Sequence, residues 1–197
     1  MGLGNPGPQH DSNRHNAGAI FLHNLCKSYG GDLRGESKFF GEFGSIKIEG
    51  NDVKLLFPTT FMNHSGKAVG AVCKFFKIDP RNMLVAYDEI DFDVGVARFK
   101  EEGGHGGHNG IRDIINSLGG NRNFYRLRIG VGHPGHKLMV SNHVLSNPSR
   151  SEADLMMMTV DDAVRVMPKA VIGEWEEAMR LLHSHCLLYT SDAADEL

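Results

Sequence analysis

GGHGGHNGIRDII, residues 103–115, decides how the chain is read. Five of its first eight residues are glycine, which permits left-handed backbone and close approach of a second segment. The spacing Ile111, Ile114, Ile115, Leu118 then predicts a helix over 109–118, closed by Gly119-Gly120. Runs on either side, Val96–Lys100 and Tyr125–Val131, predict strands. A flexible linker would carry serine rather than two histidines and Asn109. The stretch therefore reads as a functional loop that opens a helix, where free backbone N–H groups suit an anion.

Outward from that unit, MLVAY (83–87) predicts a short buried strand with Asp88 at its C-terminal end. Upstream, Ala17, Ile20, Phe21 and Leu25 mark one helix face, stopped by Gly30-Gly31. Ile46 and Ile48 alternate with polar residues before Glu49-Gly50-Asn51 turns the chain into VKLLF (53–57), a hairpin. After a loop over 58–65, Val69, Val72, Cys73 and Phe76 define a helix ended near Asp79-Pro80. Downstream, Ser149 with Glu152 forms a capping box opening a helix through Leu155 and Val164, and a last helix covers about 171–185. Strands alternating with helices predict one α/β domain on a mixed, twisted sheet flanked by helices.

The chain's 197 residues suffice for one domain with a real core. No run approaches transmembrane length, and three cysteines without paired spacing point to a reducing compartment, the cytoplasm. Charge is unevenly spread. Residues 98–137 hold seven Lys/Arg against Glu101, Glu102 and Asp113, while the whole chain is at −3. A basic quarter in an acidic chain suits a localised anionic ligand, with a solvated charged face as the alternative. Two features of the ends stand apart. Met1 runs directly into Gly2-Leu-Gly-Asn-Pro-Gly7 with no strand before it, so a first strand is expected to be missing. Residues 186–197 (CLLYTSDAADEL) share no pattern with the helix before them and resemble a translated sequencing adapter. The expected domain is therefore 1–185.

Gly2, Gly4 and Gly7 satisfy G-x-G-x-x-G, but a dinucleotide loop needs a strand before it and a helix inside it, and Pro6 and Pro8 break this one. His15, just before the first helix, has better company. Asn5, Asn16, Asn63, Asp88 and Asn109 all fall at junctions between loops and elements, where open α/β sheets place ligands. A histidine with an aspartate is the minimum general-base unit, the carboxylate holding the tautomer and stabilising the imidazolium. Asparagine amides could hold a carbonyl or a developing oxyanion. No serine or cysteine has a nucleophile's setting, so water is the expected attacker. His105 and His108 are three apart, as are Asp88 and Asp91, yet no H-E-x-x-H or cysteine pair appears. Neither metal nor cofactor is expected.

GLGNPG, RHNAG, PTTFMNHSGKAV, DEID, GGHGGHNGIRDII and RLRIGVGHPG occur in the order and spacing of bacterial-type peptidyl-tRNA hydrolases, and the resemblance runs from Gly2 to about His185. It implies a monomer that hydrolyses the ester between a peptide and the 3′-terminal ribose of tRNA. By motif, His15 resembles the general base, Asp88 the carboxylate that stabilises it, and Asn5 the residue that distinguishes a blocked α-amino group from a free one. Phe61, Asn63 and Asn109 resemble contacts to the tRNA 3′ end, with Met62 lining the pocket. Lys100 and Arg128 fall where the family grips the tRNA 5′-phosphate. His10 and Asn13 depart from the family's usual tyrosine and threonine; His10 can still stack on a base or bond a phosphate. Some plant relatives resemble splicing cofactors that retain these residues, so a non-catalytic RNA-binding role is the alternative, separable by one hydrolysis assay.

Overall fold

The computed structural model describes residues 1–192, and their side chains through His183. In chain order the first half runs α1 (Ala17–Ser28), β1 (Arg34–Glu36), β2 (Gly41–Ile48), β3 (Asn51–Pro58) and α2 (Ser65–Phe76). The second half runs β4 (Leu84–Glu89), β5 (Ala97–Glu101), α3 (Asn109–Ser117), β6 (Tyr125–Gly130), α4 (Val140–Val144), α5 (Arg150–Val171) and α6 (Trp175–Asp192).

The expected hairpin is β2–β3, antiparallel from Gly41↔Pro58 to Ile48↔Asn51, with β1 on its outer edge. The second sheet has the order β4-β6-β5. β6 is parallel to β4 and antiparallel to β5, so the strands flanking the glycine loop are neighbours. Met1–Leu3 lies between the two sheets. Gly2 N–H donates to Leu56 O at 3.2 Å, Leu3 N–H to Ala86 O at 3.0 Å, and Ala86 N–H to Met1 O at 2.9 Å.

Side-chain alternation divides the core into two layers. Leu55, Phe57, Ala86, Leu127 and Ile129 face α1, α5 and α6. Leu56, Val85 and Tyr87 face α2 and α3, whose Val69, Val72, Ile111, Ile114 and Ile115 cover them. α5 forms because Ser149 and Glu152 cap each other, at 3.3 Å and 2.7 Å, ahead of the stripe Met156, Val160, Ala163, Met167, Ala170. Leu155 and Val164 are only half-buried, at the edge of that stripe.

Three boundaries differ from the sequence reading. Asp88 lies inside β4 rather than after it, because pairing with β6 continues to Glu89↔Gly130. α6 starts at Trp175, after Gly173 in left-handed conformation, and continues to Asp192 instead of ending near 185. The reading of 186–197 as a foreign tail falls, beyond Asp192, outside the described residues.

Candidate active site

Three segments converge on the C-terminal end of β4. The first is the 3-10 turn Arg14–Asn16, which carries His15 into α1. α1 is pressed onto β4 because Gly18 has no side chain; a Cβ there would lie 2.0 Å from Ala86 O. Arg14, itself buried, ties the other side of the turn. It donates to Ser146 Oγ at 2.7 Å and pairs with Glu152 at 3.0 Å. His15 is thereby fixed over Asp88, with Nδ1 at 2.9 Å from both carboxylate oxygens.

The glycine loop brings the second histidine. His108 Nε2 lies 2.8 Å from Asp88 Oδ1, and its Nδ1 accepts the Ile111 N–H at 3.3 Å as the N-cap of α3. The sequence reading offered that helix start to an anion; the His108 ring occupies it. From sequence His108 stood out only as lying three residues from His105, whose ring accepts the Gly107 N–H within the loop. His108 was thus missed as an Asp88 partner. Its position one residue before Asn109, at a helix start, is the signal that could have found it.

The Asp88 side chain is 1% exposed, against 14% for His15 and 8% for His108. Burial favours its neutral form, but the two imidazoles beside it outweigh that and hold the carboxyl well below the ordinary carboxylate range. For His15, burial disfavours the charged ring, yet the Asp88 charge and hydrogen bond together raise its pKa above 6.5. The carboxylate takes both rings' N–H groups, which leaves His15 Nε2 with the lone pair and without a partner among the described residues. The donor atoms of His15, Asp88 and His108 lie within 4.8 Å of one another, so by spacing this trio could also ligate a metal ion.

The third segment is Pro58–Ser65. Asn5 Oδ1 accepts the Met62 N–H at 2.9 Å, and Asn16 clasps the Asn5 backbone through two further bonds, each 2.9 Å. Met62 is buried, while Phe61 is 63% exposed and Asn63 is exposed. Asp113 of α3 accepts the Gly66 N–H at 2.8 Å, joining the starts of α2 and α3 and with them the Asn63 and Asn109 segments. Asn109 is exposed, its Oδ1 accepting from Arg112 at 3.2 Å. His10 is half-buried and its Nδ1 accepts from Asn13 Nδ2 at 3.1 Å, so these two residues of the first loop form one hydrogen-bonded pair.

Lys100 and Arg128 belong to a wider cationic face. The register sets Arg98 opposite Arg128 and Lys100 opposite Arg126, all on the face of β5–β6 turned away from Phe99 and Leu127. Arg128 lies 4.4 Å over the Phe92 ring and donates through Nε to Glu89 at 2.9 Å, so its guanidinium is held from two sides. Arg98 and Glu89, parts of this arrangement, were not singled out from sequence.

A family model described as "Peptidyl-tRNA hydrolase" matches residues 1–188. The peptidyl-tRNA hydrolase of Pseudomonas paraeruginosa is 51% identical over 184 residues, covering 93% of this chain and 95% of that protein. That of Tolumonas auensis is 52% identical, covering 93% of each. Among solved structures, the peptidyl-tRNA hydrolase from Acinetobacter baumannii superposes with a TM-score of 0.90 at 46% identity, covering 92% of both chains. The buried His–Asp pair, the motifs around it and these relatives agree, and the chain belongs to the peptidyl-tRNA hydrolase family, whose activity is ester hydrolysis.

Proposed function

We propose that His15 is the general base of this hydrolase and that Asp88 fixes and stabilises it. The 2.9 Å contact from Nδ1 to the carboxylate carries this reading, because it leaves Nε2 as the ring's acceptor. A water bonded to Nε2 gives up its proton as its oxygen attacks the ester carbonyl. The imidazolium so formed faces the ionised Asp88. Collapse breaks the bond to the ribose oxygen, which takes the proton back from Nε2 and leaves with the tRNA. His108, through its bond to Asp88, keeps the carboxylate turned toward His15.

Asn5 fits the selection of blocked substrates. Its Oδ1 is committed to Met62, so its Nδ2 offers donors only. A peptide carbonyl accepts from such a group, whereas a free α-ammonium would bring donors against donors. Phe61, with its exposed ring, and Asn63 and Asn109, with exposed amides, suit stacking and hydrogen bonding to the unpaired 3′ end. Met62 lines the pocket beneath them, and His10 contributes a contact from the first loop. Lys100 and Arg128 clamp a 5′-phosphate, and the chain works as a cytoplasmic monomer on peptidyl-tRNA. No helix among the described residues is long and apolar enough to cross a membrane. Hydrolysis of N-acetylaminoacyl-tRNA, with free aminoacyl-tRNA as comparison, tests this reading. Release from both at equal rates would remove the role of Asn5, and release from neither would remove the catalytic assignment.

A further inference from the structure

Arg126 is among the most deeply buried side chains of the molecule, 1% exposed, and takes no part in the chemistry above. It meets no carboxylate at ion-pair distance among the described residues. Its guanidinium instead gathers three consecutive carbonyls, donating through Nη1 to Glu102 O at 3.1 Å and Gly104 O at 3.0 Å, and through Nη2 to Gly103 O at 2.5 Å. Its Nε is left without a partner. Its flat face lies 4.6 Å over the Phe124 ring.

Three successive carbonyls do not converge on one point in a helix or a strand. They do so here because Glu102 and Gly103 both have positive φ, +46° and +125°. Gly103 also has to lack a side chain, since a Cβ would lie 2.9 Å from Arg126 Nη1. Beyond this point the loop bonds to itself, the His105 ring accepting the Gly107 N–H at 3.0 Å and the His105 carbonyl accepting the His108 N–H at 2.9 Å. A Cβ at Gly104, Gly106 or Gly107 would meet nothing within 4 Å. Yet His108 must arrive with Nε2 at 2.8 Å from Asp88, and Asn109 directly after it.

We infer that Arg126 is a positioning residue for the hydrolytic reaction. It pins the entry of the glycine loop so that His108 is delivered to Asp88 in one arrangement, with Asn109 directly after it. The frame is short and stiff. β6, which carries Arg126, is also the strand paired with β4, with Val85↔Arg126 and Asp88↔Ile129 in register. The same strand therefore references both the carboxylate and the loop that must meet it. A buried guanidinium with an unpartnered nitrogen is an expensive way to fill space, and its yield is loop geometry. This inference rests on the reading of His15–Asp88–His108 as the reacting centre.

The test compares Arg126→Met, Arg126→Lys and Gly103→Ala with the parent on N-acetylaminoacyl-tRNA. The second readout is the NMR signal of the His108 Nε2 proton bonded to Asp88. Loosening the loop by about an ångström is expected to lower kcat by 10- to 100-fold with KM changed less than about 3-fold. The His108 proton should be lost to exchange while the amide spectrum stays folded. Arg126→Lys, which can reach one carbonyl or two, should recover part of the loss. A kcat within about 3-fold of the parent for Arg126→Met, or a large fall with the His108 proton unchanged, overturns the inference. Should Arg126→Met fail to fold, the same readouts on Arg126→Lys decide, because that variant keeps a buried cation on β6 while giving up part of the three-carbonyl contact. If His15→Ala retained parent activity, the proposed centre would fail instead, independently of the loop.

Discussion

His108 reaches Asp88 with Nε2 at 2.8 Å from Oδ1 while its Nδ1 caps α3. One ring thus ties a helix start to a buried carboxylate, and the two ties can be separated by substitution. His108→Ala removes both. Loss of the cap costs about 0.5–2 kcal/mol, or about 2–4 °C in Tm for each kcal/mol at this chain length. His108→Asn restores a good N-cap but is too short to reach Asp88. Melts and kcat on the two variants should therefore diverge, with stability recovered in the asparagine variant and turnover still reduced. Full recovery of turnover would remove His108 from the site.

Asp88→Asn bears on the pH profile. Asp88 raises the pKa of His15 against the pull of burial, and the base works only when neutral. Activity should therefore rise with pH through a value above about 6.5. In Asp88→Asn the raising contributions vanish while burial remains, so the limb should move to lower pH and the plateau should drop. The stability sign is opposite. A folded pKa above the unfolded one means the charged pair contributes fully below about pH 6.5, and the contribution is lost as pH rises through the folded value. The unchanged variant should show that loss and Asp88→Asn should not. An unmoved kinetic limb would mean that some other group sets it.

Much of this was legible in the sequence. The α3 periodicity, the 149–152 capping box and the hairpin turn are local signals, set within one or two turns of chain, and all three stand. The His15–Asp88 pair was found from residue types at element junctions. The Arg14–Glu152 anchor, the Gly18 contact on Ala86 and the Arg126 clasp were not found. Each joins distant segments through one arginine or one missing side chain, and a single such residue leaves no periodicity to read. Asp88 was placed after its strand because MLVAY ends the apolar run. The backbone goes on pairing beneath the polar residues that follow.

Gly18→Ala measures how tightly α1 must sit. The added Cβ would fall 2.0 Å from Ala86 O, a backbone atom that cannot swing away. α1 should lift from β4 at a cost of about 1–3 kcal/mol, as for other overpacked sites. His15, three residues earlier, should lose alignment with Asp88. A thermal melt and kcat should fall together; a stable variant with parent kcat would mean that the close approach is not what sets His15.

Lys100→Ala and Arg128→Ala should raise KM and flatten its dependence on salt, with kcat changing little, because a phosphate contact acts equally on bound substrate and transition state. Glu89→Gln should have a weaker effect of the same kind, since it frees the Arg128 fork without removing its charge. Steady-state kinetics across a salt series read all three. Unchanged KM and slope in both alanine variants would reduce the cationic face of β5–β6 to a solvated surface.

The central assignment is that His15 takes a proton from the attacking water. The direct measurement is single-turnover hydrolysis of N-acetylaminoacyl-tRNA by His15→Ala, alongside its equilibrium affinity for that substrate. Removing the base should slow the chemical step by about 10²–10⁴-fold, while binding stays within a few-fold of the parent because the imidazole acts on the transition state. A chemical step at near-parent rate, or a loss accounted for wholly by weaker binding, would contradict it.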